Sequence, residues 1–326
     1  MLPVFLFLSA LIFLDSYKLV KFRSIVFIIF AGGCIAGLSF VVNSVALAAL
    51  KWYAVLFTRY VAPVIEESLK SMYLLYLIRR ERIGFMVDAA IDGFAIGAGF
   101  AFIENIYYLE LISSQNILLW FIRGLGTAMM HGGTTAMFGV VVKNLSDRSG
   151  SIRIADVLPG LTIAVVTHSL FNHFFVSPVL STVFLVLLLP AIIVAVFRQS
   201  EKATRSWLGV GFDTDVQVLD MITTGNLAGT NIGKYLQSIR HRFSGDVVVD
   251  MLCLLRIHVE LSVRAKGVLL MREAVFRVIP DPELKEKFTE LEFLEKSVGR
   301  TGQLAMAPFL HTSSRDLWQF HMLGKK

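Results

Sequence analysis

The chain has 326 residues, 55% of them apolar and 17% charged, with a mean hydropathy of +0.67. A soluble domain carries about 25% charged residues, so an ordinary soluble globule is excluded, as are a disordered chain, a collagen and a disulfide-rich secreted scaffold. Charge is also unevenly spread, at about 12% of residues 1–197 and about 26% of residues 198–326. That difference predicts a membrane domain over 1–197 and a soluble, mostly helical domain over 198–326.

Apolar runs recur at Leu2–Leu14, Ser24–Leu50, Tyr53–Ile78, Phe85–Leu109, Ile117–Val142, Ala155–Val176 and Val179–Phe197. A hydrocarbon core near 30 Å needs about 20 helical residues, which all but the first run supply. Helices are the only open-chain structure that satisfies its own backbone in lipid. The expectation is therefore an all-α, multi-pass bundle of about seven spans. Met1 to Leu14 lacks a basic leader and a small-residue cleavage site, so it reads as a retained first span rather than a signal peptide.

Basic residues mark alternate loops. Lys18, Lys21 and Arg23 follow the first run, Arg79, Arg80 and Arg82 the third, Lys143, Arg148 and Arg153 the fifth, and Arg198, Lys202 and Arg205 the seventh. The intervening loops hold only Lys51, with none in Glu110–Asn116. This alternation places the basic loops and the tail in the cytoplasm and the N-terminus outside, in a cell membrane. Arg59 and Arg123 near outer span ends read as interface anchors for lipid headgroups.

In the tail, Asp281-Pro282-Glu283 is a good helix start, and Glu283–Lys287 and Glu292–Lys296 are spaced as i,i+4 pairs. Asp246–Ala274 is a second long helical candidate, with Gly225, Gly229 and Gly233 as a looser connector. His241, His258, His311 and His321 are scattered and form no motif. The net charge of +6 divides equally between the two parts, so no basic face supports nucleic-acid binding. Cys34 and Cys253 provide neither a disulfide framework nor metal-ligand spacing.

Ionisable groups inside spans cost about 2.5 kcal/mol or more and need a reason. Span three contains Glu66, Glu67 and Lys70, so either acid can reach the ammonium at i,i+4 or i,i+3. Adjacent acids differ by about 100° around a helix, so one can face a cavity while the other is held. Pro63 has no N–H, which frees a carbonyl and kinks the span just before the acids. Span four carries Gly93, Gly97 and Gly99 for close helix approach, Phe100 and Glu104, with Asp88 and Asp92 nearer the cytoplasmic end. Span five holds His131, and span six holds His168 and Asn172 at i,i+4. At 1.5 Å per residue, Glu67 and His131 lie roughly 21 Å from their outer helix ends, His168 roughly 12 Å and Glu104 roughly 8 Å. Asn105, Thr134 and Thr135 read as interhelical hydrogen-bond formers.

Hydrolysis fits this set. A glutamate can deprotonate water, a histidine can donate a proton, and Asn with His can stabilise an oxyanion. Glu67, Glu104, His131 and His168 are alternatively a zinc ligand set, which spacing does not decide. No His-Glu-x-x-His helix is present. A proton- or ion-coupled transporter would use the same groups, though without an evident inverted repeat. A non-enzymatic scaffold whose tail binds a cytoplasmic partner is a third class.

Glu66-Glu67-Ser68-Leu69-Lys70 resembles an E-E-x-x-K signature, Phe100–Glu104 an F-x-x-x-E element, and His168–Asn172 an H-x-x-x-N/D element. Together, over about residues 50–180, they resemble the PrsW family of bacterial membrane proteases. That family is distantly similar to the CAAX prenyl proteases, which carry a histidine where Glu104 stands. The resemblance implies cleavage of a membrane-anchored protein such as an anti-sigma factor. It makes Glu66, Glu67, Glu104, His131 and His168 catalytic, with Asn172 as polar partner and Lys70 and Phe100 in support. A glutamate-activated water is the expected mechanism, with no cofactor favoured and zinc as the alternative.

Overall fold

The computed structural model describes residues 2–15, 17, 19–111, 122–173, 175–279, 281–310 and 314–324. Lys18, His311 and the side chain of Arg123 lie outside that description, as does most of the 110–116 loop. Helix is the only regular structure among the described residues. In chain order the elements are α1 (Leu2–Leu14), α2 (Phe22–Leu50), α3 (Ala62–Arg79), α4 (Met86–Leu111), α5 (Ala128–Ser149), α6 (Ile154–His173) and α7 (Pro178–Thr223). They continue with α8 (Asn231–Ile239), α9 (Gly245–Glu273), α10 (Leu284–Met306) and α11 (Ser314–Leu323). A helical turn at Ala54–Leu56 and a π-helical segment at Phe57–Val61 lead into α3, and a second π segment, Ile122–Thr127, leads into α5.

Among the described residues, five helices are long and apolar enough to cross a membrane: α2, α4, α5 (counted from Gly124), α6 and α7. The other two of the seven expected spans fall short for different reasons. With 13 residues, α1 reaches about 20 Å, and α3 is interrupted by Glu66, Glu67 and Lys70. The chain divides into two compact units, 1–201 and 202–326, and the division falls inside α7. That helix runs 26 residues beyond Phe197, where the apolar pattern stops, and ends just before Gly225, which has φ +75°.

Within the first unit α4 is central, with 89% of its apolar stretch buried against 17% for α7. Its small residues explain this. A Cβ on Gly97 would stand 2.2 Å from the His131 carbonyl oxygen, and one on Gly99 would stand 2.0 Å from that of Ile29. Glycine at both positions lets α5 and α2 lie directly against the α4 backbone. The buried core includes Ile28, Leu74, Phe94, Ile96, Phe138 and Val142. Outward faces are apolar too, with Phe27, Phe30, Phe184 and Leu187 exposed, as expected of helices meeting lipid. Asp88 is buried and accepts the Gly84 and Phe85 N–H groups (2.9 and 3.2 Å), closing the first turn of α4. Asp92 is also buried.

The second unit packs α8–α11 around Met251, Leu254, Leu291, Leu294 and Phe320. Gly233 sits inside α8 rather than in a connector: its N–H is capped by Thr230 Oγ1 (3.2 Å), and its Cα lies against the Leu227 carbonyl. The anticipated Glu283–Lys287 pair is also replaced by contacts across helices. Glu283 binds Arg264 (2.8 Å) and Lys287 binds Glu260 (3.0 Å), tying the start of α10 to α9. The Glu283 hydrogen bond, with Asp281 beside it, raises the Arg264 guanidinium above its ordinary pKa.

Candidate active site

Local chain structure sets the register of the acids on α3. Pro63 sits in the first turn of α3 and cannot donate to the Arg59 carbonyl four residues back. Ser169 Oγ on α6 donates to that carbonyl instead (2.7 Å), and Asn172 Nδ2 donates to the neighbouring Thr58 carbonyl (3.0 Å). The expected kink is therefore a π segment whose exposed carbonyls are satisfied by α6. This latch holds α6 against α3 one turn from His168.

Glu67 and Lys70 form a fully buried ion pair, Lys70 Nζ to Glu67 Oε1 being 2.6 Å. The same Oε1 receives His168 Nδ1 at 2.8 Å and the Thr134 hydroxyl at 3.2 Å. Lys70 Nζ also lies 2.9 Å from His131 Nδ1 and 4.9 Å from the centre of the Phe100 ring, which tilts against His131. The ring of His131 meets that of His168 edge-on at 4.8 Å. Glu104 Oε2 lies 2.7 Å from His131 Nε2, and its side chain is 24% exposed. Seven residues separate Gly97 from Glu104, two helical turns, so the face that touches His131's backbone also delivers Glu104 to its ring.

Chemistry assigns the protons. A carboxylate only accepts, so His168 carries its proton on Nδ1 and keeps a lone pair on Nε2. An ammonium only donates, so with Lys70 charged His131 accepts at Nδ1 and donates Nε2–H to Glu104. Glu66 is held differently: Asn43 Nδ2 on α2 donates to its Oε1 at 2.9 Å. Its Oε2 is buried without a hydrogen-bond partner, 3.9 Å from His168 Nε2. Two lone pairs thus face each other across a gap too wide for a hydrogen bond.

Four sequence-derived positions on four helices, Glu67, Glu104, His131 and His168, are joined by hydrogen bonds, with Lys70 and Phe100 against them. Glu66 completes the cluster. Asn172 is engaged with the backbone of the π segment and makes no bond to these groups. Asn43 and Thr134 are the partners sequence reasoning did not assign. Thr134, expected only to bond between helices, donates to the cluster carboxylate, and Asn43 lies in a long apolar run, where an amide in mid-span is itself a signal.

One ligand atom each from Glu66, His131 and His168 lies within 4.8 Å of the others, the one such grouping among the described residues. Glu66 Oε2 and His168 Nε2 fit a metal on chemical grounds, each with an unshared pair and with the other His168 nitrogen tied to a carboxylate. His131 can join them only by releasing Lys70 from Nδ1 or giving up its Nε2 proton. Compared with the expected zinc set, Glu66 takes the place of Glu67, which has one oxygen bound to Lys70 and His168, and Glu104 is outside the grouping, bound to His131 Nε2.

Comparison with known proteins gives one positive finding. The profile described as PrsW family intramembrane metalloprotease matches residues 21–197. No match was found among curated proteins or among solved structures. The matched stretch contains every cluster residue and more than half of the chain, which therefore belongs to the PrsW family of intramembrane metalloproteases.

Proposed function

We propose that the chain is an endopeptidase that hydrolyses a membrane-anchored protein at the Glu66, Glu67, Glu104, His131 and His168 cluster. An anti-sigma factor is the first substrate to try, because the family resemblance implies one. The observation that carries the reading is the pair of unshared electron pairs, on Glu66 Oε2 and His168 Nε2, facing each other inside a network that fixes both.

Glu66 and His168 are the residues that would hold a divalent metal, with His131 completing the set once one of its ring nitrogens is released from Lys70 or Glu104, zinc being the first candidate. When bound, such an ion supplies Lewis acidity to the scissile carbonyl and to water. Glu67 serves as the orienting carboxylate: it fixes the His168 tautomer and keeps Nε2 free. Lys70 neutralises Glu67 and holds His131. Glu104, in contact with His131 and partly open, takes a proton from the attacking water and returns one to the leaving nitrogen as the C–N bond breaks. This reading puts a metal beside the glutamate-activated water expected from sequence, supported by the metalloprotease family and by the grouping of Glu66, His131 and His168.

In the proposed topology the N-terminus is outside and residues 198–326 form a cytoplasmic domain, on the strength of the basic loops. The test is metal analysis of the purified full chain in lipid nanodiscs, with cleavage of a membrane-anchored reporter measured before and after chelation. About one zinc per chain and loss of cutting on chelation are expected, with recovery on adding zinc. Cleavage that survives complete removal of metal restores the metal-free mechanism, and a chain that never cuts any anchored reporter overturns the peptidase reading.

A further inference from the structure

We propose that the apolar cleft bounded by α5, α6 and α7 is the docking groove for the membrane-embedded segment of the substrate, bound in extended form; this rests on the peptidase reading above. The cleft holds about 870 Å³, within the range of ligand pockets. Its inner end reaches the catalytic cluster. Thr134 lines it and donates to Glu67, and Thr167 lines it beside His168 in the chain. Its outer rim is formed by exposed Leu170, Phe184 and Leu187, on a face where the neighbouring exposed residues are also apolar. A ligand can therefore enter sideways from lipid, without crossing the water interface.

Length and chemistry select a peptide over an acyl chain. Lining residues on α7 run from Leu180 to Ile192, about 18 Å of helix, which matches five or six extended residues. Peptide hydrolysis needs such a form, because a helix keeps its carbonyls in its own hydrogen bonds. An extended backbone in an apolar groove needs partners of its own. Thr167 and Ser181 line the cleft, and neither hydroxyl has a hydrogen bond among the described residues. A hydrocarbon tail has no use for either. The wall can also adjust: α7 meets the unit through side chains, Leu189 at Gly133 and Thr182 at Gly126, rather than backbone to backbone.

The test is photo-crosslinking on the full chain in phosphatidylcholine nanodiscs, carrying E66Q to prevent turnover. One probe is a 20-residue Leu/Ala transmembrane peptide with a diazirine at its centre; the other is phosphatidylcholine with a diazirine in mid-chain. The peptide is expected to label α6 and α7 around Leu170 and Leu188, and to exclude the lipid probe from both. Leu188→Trp fills the groove and is expected to lower peptide labelling about tenfold, with the thermal midpoint unchanged. Should that variant fail to fold, Ile163→Trp fills the opposite wall. Peptide labelling on other faces, lipid labelling that the peptide does not displace, or labelling indifferent to both tryptophans overturns the groove. Because binding is read without turnover, groove labelling in a chain that never cleaves removes the peptidase reading and leaves the docking surface standing.

Discussion

Each unit buries a lysine against a carboxylate at the same distance. Lys70 and Glu67 are 2.6 Å apart in the membrane unit, as are Lys266 and Asp215 in the tail. Around Lys266 the neighbours include neutral polar groups: Ser262 donates to Asp215 (2.5 Å) and accepts from Gln319 Nε2 (3.0 Å), while Trp207 lies under the ammonium. The Lys266–Asp215 pair and its Ser262 and Gln319 partners pin α7, α9 and α11 of the tail together. Around Lys70 stand three acids and two imidazoles, so one cation is outnumbered. A balanced buried pair organises a fold, whereas a surplus of buried acceptors is a site waiting for positive charge.

The largest expected effect is on the surplus. His168→Ala or Glu66→Gln should cut reporter cleavage by about a thousandfold or more and remove bound metal, while the chain still inserts and melts as a folded protein. Either variant retaining both metal and activity breaks the comparison, because the surplus would then be structural like the tail pair. A smaller loss is expected from Lys70→Met, which leaves the ligands and removes their support. Outer-shell changes of this kind cost about 10–100-fold in metal affinity or activity. Adding Glu67→Leu, so that the pair is replaced by apolar groups, should not restore cleavage, because His168 then loses the carboxylate that fixes its tautomer.

The tail pair should behave in the opposite way. Lys266→Met alone leaves the buried Asp215 without its lysine and should destabilise the tail by about 3–5 kcal/mol, visible as early proteolysis of residues 202–326 in the full chain. Asp215→Leu with Lys266→Met should recover most of that loss, since well-packed apolar pairs replace buried ion pairs at little cost. Metal content is expected to be unchanged in both. If the double variant is no more stable than the single one, the tail pair has a role beyond its own balance.

What sequence could show follows from the same distinction. Ionisable residues in spans are conspicuous, so Glu66, Glu67, Glu104, His131 and His168 stand out individually, and depth along the spans puts Glu67 level with His131. The glycine spacing of α4 likewise announces close packing. Less legible is which oxygen faces which nitrogen. That Glu67 rather than Glu66 pairs with Lys70 depends on rotamers, and Asn43 reaches Glu66 through the packing of α2 against α3, which no spacing along the chain announces. The apolar run Tyr53–Ile78 reads as a span in the sequence, whereas α3 itself, with Glu66, Glu67 and Lys70 in 18 residues, is not among the helices apolar enough to cross a membrane. In the tail, Glu283 and Lys287 have helix spacing, but α9 offers better-placed partners in Arg264 and Glu260.

The smallest effect isolates how the surplus is kept in register. Ser169→Ala removes the hydroxyl that satisfies the Arg59 carbonyl, the acceptor that Pro63 leaves without its helical donor. Interhelical hydrogen bonds in membranes average about 0.6 kcal/mol and reach about 1.7, so a loss of about 1 kcal/mol in unfolding free energy is expected. Pro63→Ala restores an N–H at the correct position. In that background the carbonyl can close an ordinary helical bond, and Ser169→Ala should cost almost nothing. The coupling between the two changes is therefore the measurable quantity, read from equilibrium unfolding of the four variants in one bilayer system. Purely additive losses would mean that the serine and the proline act separately, and that something else sets His168 against Glu67. Coupling near the full single-variant loss would show that a missing backbone donor on α3, answered from α6, aligns the carboxylates with the histidine they need.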